Sequence, residues 1–333
     1  MSALSYIYKT RASTASNATT SYVEVDETTA LTSGTTYIVI AHGLVKGDNV
    51  NKTYAWRLVD RTNSDAVLSD SELIKEPMST SSSQSYSYIG QITAGSGGGG
   101  IAFEQKAVAA ATTASTEYLS LLLLDMSNLE PSDWFFAQDS SGPTQHTTSY
   151  VSRVSYAQAD QVDEPWLIMG WCATATDNLA KRAEMEITSA QAAGMTVLPT
   201  CSYEGEDFTE TLLNWMGWVH SPSASDTATY AVKTRDSDTH ATPNDYLGAS
   251  IFGLRLGAMK ASAYSETAAA QTTTSTAFNT YETATPTTPG SSDTLIAIGS
   301  AVADMNSAGR NSQLAIQDEG TTVPNTIPDD SNI

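Results

Sequence analysis

The residue types that usually do chemistry are scarce in this chain and poorly spaced for it. There are two cysteines, Cys172 and Cys201, and four histidines, His42, His146, His220 and His240. None of them stands at C-x-x-C or H-x-x-x-H spacing, so a zinc site has no framework and neither a metal nor another cofactor is expected. Cys172 ends a strand-like run and reads as a small buried hydrophobe. A Cys172–Cys201 bridge is the alternative, but a chain of this size does not need one. Nucleophilic catalysis has no Gly-x-Ser-x-Gly elbow to start from. Glu204, Glu206 and Asp207 form an acidic knot of the kind that holds a glycosidase pair, and a solvated loop explains it better. No catalytic residue is assigned, and the chain is read as non-enzymatic.

Binding motifs fare little better. The tract Gly95-Ser96-Gly97-Gly98-Gly99-Gly100 lacks the Lys and Ser/Thr of a phosphate loop and has no helix-like segment after it, so it reads as a hairpin loop. Its counterpart later in the chain, His220 to Ser225, is another connection between strands. Asp48-Asn49, Asp177-Asn178 and Asp236-Ser237-Asp238 offer oxygens but not the six or more that calcium takes, and read as turns. Trp134, Trp171, Trp215 and Trp218 are candidates for a sugar platform if exposed, with core packing as the plainer expectation. Three residues apart on a strand, Trp215 and Trp218 should point to opposite faces. The sequons at Asn17-Ala18-Thr19 and Asn51-Lys52-Thr53 are expected by accident in so threonine-rich a chain.

Composition narrows the partners. The 333 residues carry 37 Asp+Glu against 16 Lys+Arg, a formal charge of −21. Charged residues are only 16%, and 41 Ser and 45 Thr take their place. An acidic surface poor in Lys and Arg lacks the basic footprint that nucleic acid or anionic lipid requires. The longest apolar run, Trp166 to Ala173, is far too short to be a membrane helix. The start, Met1-Ser2-Ala3-Leu4-Ser5, shows no secretory signal. Neither nucleic-acid binding nor membrane insertion is expected.

The elements that would position any site come from an internal repeat. Tyr37-Ile38-Val39-Ile40-Ala41, Trp166-Leu167-Ile168-Met169-Gly170 and Leu295-Ile296-Ala297-Ile298-Gly299 follow one another at 129 residues. At the same offset Trp56 and Leu58 match Met185 and Ile187, then Leu314 and Ile316, while Tyr6 falls on Phe135 and Tyr264. One residue out of phase, Thr19 to Val23 matches Thr147 to Val151. Further on, Ile89-Gly90 matches Met216-Gly217, and Tyr118-Leu119 matches Tyr246-Leu247.

The unit reads as all-β. Tyr22–Asp26 and Tyr54–Leu58 largely alternate apolar and polar residues, the period of a half-buried strand. The runs from Tyr37 and from Trp166 are apolar throughout, as in strands buried on both faces. Tyr6–Thr10, Val67–Glu72, Ser87–Ile92, Ile101–Val108 and Glu117–Met126 complete about eight strands per unit, the pattern of a β-sandwich or jelly roll. The Ala-rich stretches Ala107–Ala111 and Leu179–Met185 invite a helix; the second falls where the first unit places a hairpin and strand. Tandem repeats at 1–129 and 130–258 are expected, followed by a partial third at 259–333. The third lacks about three strands, so it is expected to be completed by another chain or by residues beyond Ile333.

Tandem sandwiches with Ser/Thr/Gly/Ala-rich loops, few cysteines and no leader resemble virion proteins of tailed bacteriophages, of the fibre or head- or tail-decoration type. That resemblance implies release by lysis and a structural role in a virion or extracellular filament. Its partners would be copies of itself and other virion or filament proteins. Repeating a domain without repeating a polar constellation adds surface and no chemistry, which suits that role. The alternative is a glycan-binding adhesin or receptor-binding fibre, which requires a solvent-facing Trp171, Trp215 or Trp218.

Overall fold

A computed structural model describes residues 4–50, 52–75, 83–141, 144–145, 147–158, 164–176, 181–191, 194–205, 210–222, 227–236, 244–259, 262–265, 283–285, 296–299, 317–318 and 321–322. The first group of strands is β1 (Ser5–Arg11), β2 (Ala15–Asn17), β3 (Val23–Glu27), β4 (Thr36–Gly47), β5 (Tyr54–Asp60), β6 (Ala66–Val67), β7 (Leu73–Lys75), β8 (Gln84–Thr93), β9 (Ile101–Ala107) and β10 (Ala114–Asp125). They form two antiparallel sheets, one ordered β1-β10-β4-β8 with β2 beside β10, the other β3-β9-β5-β6 with β7 also on β5.

The second group repeats this plan. It comprises β11 (Trp134–Asp139), β12 (Thr144–Gln145), β13 (Val151–Gln158), β14 (Trp166–Thr176), β15 (Lys181–Gln191), β16 (Gly194–Gly205), β17 (Glu210–His220), β18 (Ala228–Asp236) and β19 (Asn244–Arg255). Its sheets are ordered β11-β19-β14-β17, with β12 beside β19, and β13-β18-β15-β16. The protein is therefore all-β, built of tandem sandwiches. Beyond residue 259 the described pairing is one short hairpin, β20 (Gln317–Asp318) with β21 (Thr321–Thr322). Residues 296–299, expected to match β4, are described without strand pairing, and Ile296 and Ile298 are exposed. Lys181 onward is strand and 108–111 is turn, so neither Ala-rich stretch is helical where described. The expected strand over Val67–Glu72 is instead two short pieces separated by a turn in which Asp70 takes a φ of 59°.

Strand register assigns each side chain to a layer, because residues paired across antiparallel strands share a face. In β4, Tyr37, Val39 and Ala41 face inward with Tyr86 and Tyr88 of β8 and Leu119, Leu121 and Leu123 of β10. Tyr86 meets Phe103 of β9 edge to face, with ring centroids 4.8 Å apart, closing the two sheets on each other. In β14, Trp166, Ile168 and Cys172 belong to the second core with Met185 and Ile187 of β15. Gly253 of β19 is required there, since a Cβ would lie 2.0 Å from the Phe135 ring. That ring is itself stacked on Tyr156 at 4.6 Å.

The same register corrects the sequence alignment outside β4/β14 and β5/β15. Trp56 and Leu58 do share their core position with Met185 and Ile187. Tyr6, however, pairs with Leu124 on the outer face, whereas Phe135 pairs with Gly253 inside; its true counterpart is Ile7. Ile89 corresponds to Gly217 and not to Met216. Tyr118 faces outward beside Leu44, whereas Tyr246 is buried in the second core. Bulges between Thr116 and Tyr118, and between Ala173 and Thr174, absorb these slips.

Candidate functional site

The residues expected to do chemistry are mostly occupied by the fold. The glycine tract connects β8 in one sheet to β9 in the other, so it is an inter-sheet crossing and not a hairpin. Its amides are consumed by the protein: Gly95 donates to Thr62 Oγ1 at 2.7 Å, Gly97 to the Thr62 carbonyl at 3.0 Å, and Gly100 to Glu27 at 2.6 Å. Gly99 turns the chain with a φ of 108°. Asp48 accepts from Tyr54 at 2.7 Å and from the Thr113 amide at 2.8 Å, as a turn residue should. Burial alone would raise its carboxyl, but these hydrogen bonds outweigh it and hold it below the usual carboxylate value. Asn17 is buried, and its side chain bonds to the Gln105 carbonyl and to Thr19, which closes that sequon.

Cys172 lies in the second core with its thiol toward the Ala173 carbonyl. The side chains of Cys201 and Glu204 fall outside the described residues, as do Glu206, Asp207, Asp177-Asn178, Asn51 and the Ser237-Asp238 pair. Among the described residues no group of three or more His, Cys, Asp or Glu is placed to hold a metal ion. No helix among them is long and apolar enough to cross a membrane.

One polar constellation does recur, and the sequence comparison missed it. On the outer face of the first sandwich's second sheet, Tyr22 lies between Arg57, 3.6 Å from the ring centroid, and Lys106, at 4.2 Å. Arg57 pairs with Glu104 at 2.8 Å, directly across the strands. In the second sandwich Tyr150 lies under Arg235 at 4.5 Å and donates to Glu184 at 3.0 Å. Glu186 and Lys233 occupy the places of Arg57 and Glu104, with the charges exchanged. That exchange is what hides the match from a residue-by-residue comparison. Arg57–Glu104, Arg235–Glu184 and Lys233–Glu186 are ion pairs within the sheets, so each cluster staples its own sheet face.

The feature that organises the chain is the joint between the sandwiches. β8 and β7 form one edge of the first sandwich. Across it packs the outer face of the β11-β19-β14-β17 sheet, which carries Met169, Trp171, Ala173, Phe252 and Leu254 into the first sandwich's core cluster. An edge strand ordinarily exposes a row of carbonyls. Here Trp171 Nε1 donates to the Ser87 carbonyl at 3.0 Å, and Ser250 Oγ donates to the Ile89 carbonyl at 2.6 Å. Trp171 is fully buried and meets Tyr88 edge to face at 5.1 Å. Gly248 leaves room for Asp70: a Cβ there would lie 2.4 Å from its carboxylate. Desolvation raises the Asp70 carboxyl above its ordinary value.

The connecting segment is pinned as well. Asp125 caps the 3-10 turn at Met126–Asn128 through the Ser127 amide, Leu129 is buried, and the Asp133 carboxylate holds Arg255. Trp134 is half-buried against the first core and Trp218 packs against the second, so neither stands out as a platform. Trp215 is opposite Trp171 in register, and its side chain lies outside the described residues.

No protein-family model and no curated protein matches this sequence. Among solved structures it is similar to the tandem CBM22-1–CBM22-2 domain of Paenibacillus barcinonensis Xyn10C, with 8% identity, 74% of this chain and 93% of that one covered, and a TM-score of 0.22. It is similar also to the STIV MCP, with 9% identity, coverage of 75% and 97%, and a TM-score of 0.27. The infectious bursal disease virus VP2 subviral particle gives 9% identity, coverage of 78% and 74%, and a TM-score of 0.29. Values this low carry no argument about role, which is read from the chain itself.

Proposed function

We propose that this chain is a non-enzymatic structural protein of a virion or extracellular filament, built from sandwich units at 1–129 and 130–258 and a further unit beginning near 259. The observation that supports this reading is the joint. Two sandwiches of the same topology share one buried apolar cluster, and side chains of the second cap the open edge of the first. An adhesin carrying independent binding modules on flexible linkers has no use for such a seam, whereas a load-bearing rod or shell does. The polar cluster that recurs is built on ion pairs within the sheet, which suits a stapling role. The glycan-binding alternative loses Trp171, which is fully buried in the joint. The test is stoichiometry: peptides of this chain should occur in purified particles or filaments at a fixed, high copy number. Their absence from such material overturns the reading.

A further inference from the structure

The turn between β6 and β7 carries Asp70 into the joint. Its backbone is left-handed, with a φ of 59°, a conformation that Asp and Asn tolerate better than most side-chain-bearing residues. That turn sets the carboxylate against the backbone of β19 in the other sandwich. The three nearest atoms that a Cβ on Gly248 would meet, at 2.4, 2.6 and 2.9 Å, all belong to the Asp70 side chain. Ser69 is tied to the same place, since Tyr88 donates to its carbonyl at 3.1 Å while meeting Trp171 edge to face. Asp70, Ser69, Tyr88 and Trp171 therefore form one continuous line along the seam.

The carboxylate is poorly provided for in this position. It accepts from its neighbour Ser69 Oγ at 2.9 Å. Gln138 of β11 faces it, but the buried Nε2 of that residue closes no hydrogen bond. Asp139, opposite Ala249 and so beside Gly248 in register, brings a second negative charge from the other sandwich. Arg153 of β13 bears on Asp139, yet its guanidinium lies over the Tyr246 ring at 4.3 Å. Among the described residues no Lys, Arg or His pairs with Asp70. Tyr88, raised by burial and by the charge of Asp70, stays neutral at ordinary pH. A half-buried carboxylate facing a like charge is harder to ionise than one in water. Desolvation, with Asp139 adding to it, outweighs the Ser69 and Gln138 dipoles and raises Asp70 above its ordinary value.

We infer that the joint is a pH-sensitive latch: Asp70 holds a charge between the sandwiches at neutral pH, and acidification neutralises it and tightens the seam. The sign follows from linkage. Asp70 binds its proton more tightly in the closed joint than when the sandwiches part and it meets water. The proton therefore favours the closed state, and that contribution is lost as pH rises through the raised value. Between the raised value and the ordinary one, about 3.9, opening of the joint should fall by up to about tenfold for each pH unit of acidification. Below the ordinary value the open state is protonated too, and the effect levels off. His42 acts on the first sandwich in the opposite direction, so the latch is read as a difference between variants.

The experiment is hydrogen exchange of the Trp171 indole N–H in the full chain, followed by NMR from about pH 7 to about pH 4. Rates are expressed as protection factors, so that the pH dependence of exchange itself drops out. Trp171→Phe identifies the resonance by its absence. Asp70→Asn keeps the shape and the left-handed turn and removes the charge, and circular dichroism shows that it folds. Wild-type protection should rise as pH falls. Asp70→Asn should be better protected than wild type at neutral pH, by about the factor that wild type gains on acidification, and should change little below it. Wild-type protection that is flat or falls on acidification overturns the inference. So does a folded Asp70→Asn that follows the wild-type curve. Neither result depends on whether the chain occurs in particles or filaments, so the latch and the structural role fail separately.

Discussion

Removing Trp171 should uncouple the two sandwiches. Its indole is fully buried, its N–H is 3.0 Å from the Ser87 carbonyl, and its ring meets Tyr88 at 5.1 Å. Trp171→Phe keeps most of the ring contact and removes the donor to a buried edge carbonyl, a loss of about 1–3 kcal/mol. Trp171→Ala also empties the ring's volume, and truncations of this size cost about 3–5 kcal/mol. Urea unfolding followed by both fluorescence and circular dichroism measures the effect. Wild type should unfold in one transition through the joint. Trp171→Ala should lower stability by the stated amount and separate the transition into two, while Val67→Ala, on an exposed residue, stays within about 0.5 kcal/mol of wild type. If Trp171→Ala costs less than about 1 kcal/mol, or leaves a single transition at the wild-type midpoint, the joint is not what couples the sandwiches.

Three further outcomes follow. Gly253→Ala forces a methyl into the Phe135 ring and should cost at least about 1–3 kcal/mol, read as a lowered Tm; Phe135→Leu in the same chain should recover part of it. His42 is pushed down to about 4 by burial, so the unfolded chain takes up its proton first as pH falls. The His42 contribution to stability should therefore decline from about pH 6.5 to about 4 and level off below, so that the decline over that range is shallower in His42→Gln, measured by urea midpoints. Because so few charges line the faces available for contact, self-association should change little between low and moderate ionic strength, which light scattering at graded salt measures.

The sequence carried the sandwich and its layers further than its chemistry. The runs at Tyr37 and Trp166 signalled strands covered on both faces: Tyr37, Ile38, Val39 and Ala41 of β4 are all buried, and β14 has one face on its own core and the other in the joint. What covers the other face of β14 was not visible, since a joint-facing Trp171 and a sugar-facing one have the same sequence environment. Gapless comparison placed Tyr6 on Phe135 and Tyr118 on Tyr246, because bulges move register by one residue and a one-residue slip reverses the face. The Tyr22 and Tyr150 clusters were masked by the exchange of Arg57–Glu104 for Glu186–Lys233, which keeps the attraction and changes both letters. Asp48 and Asn17 are engaged by the fold. Their short polar side chains serve the local backbone, as that residue type does in turns.

The structural role is tested most directly by immunoelectron microscopy of purified particles or filaments with an antibody against the native chain. The account predicts label at regular intervals on an ordered surface, in proportion to a fixed copy number. Label confined to soluble material, with particles unlabelled and chemically free of the chain, contradicts it.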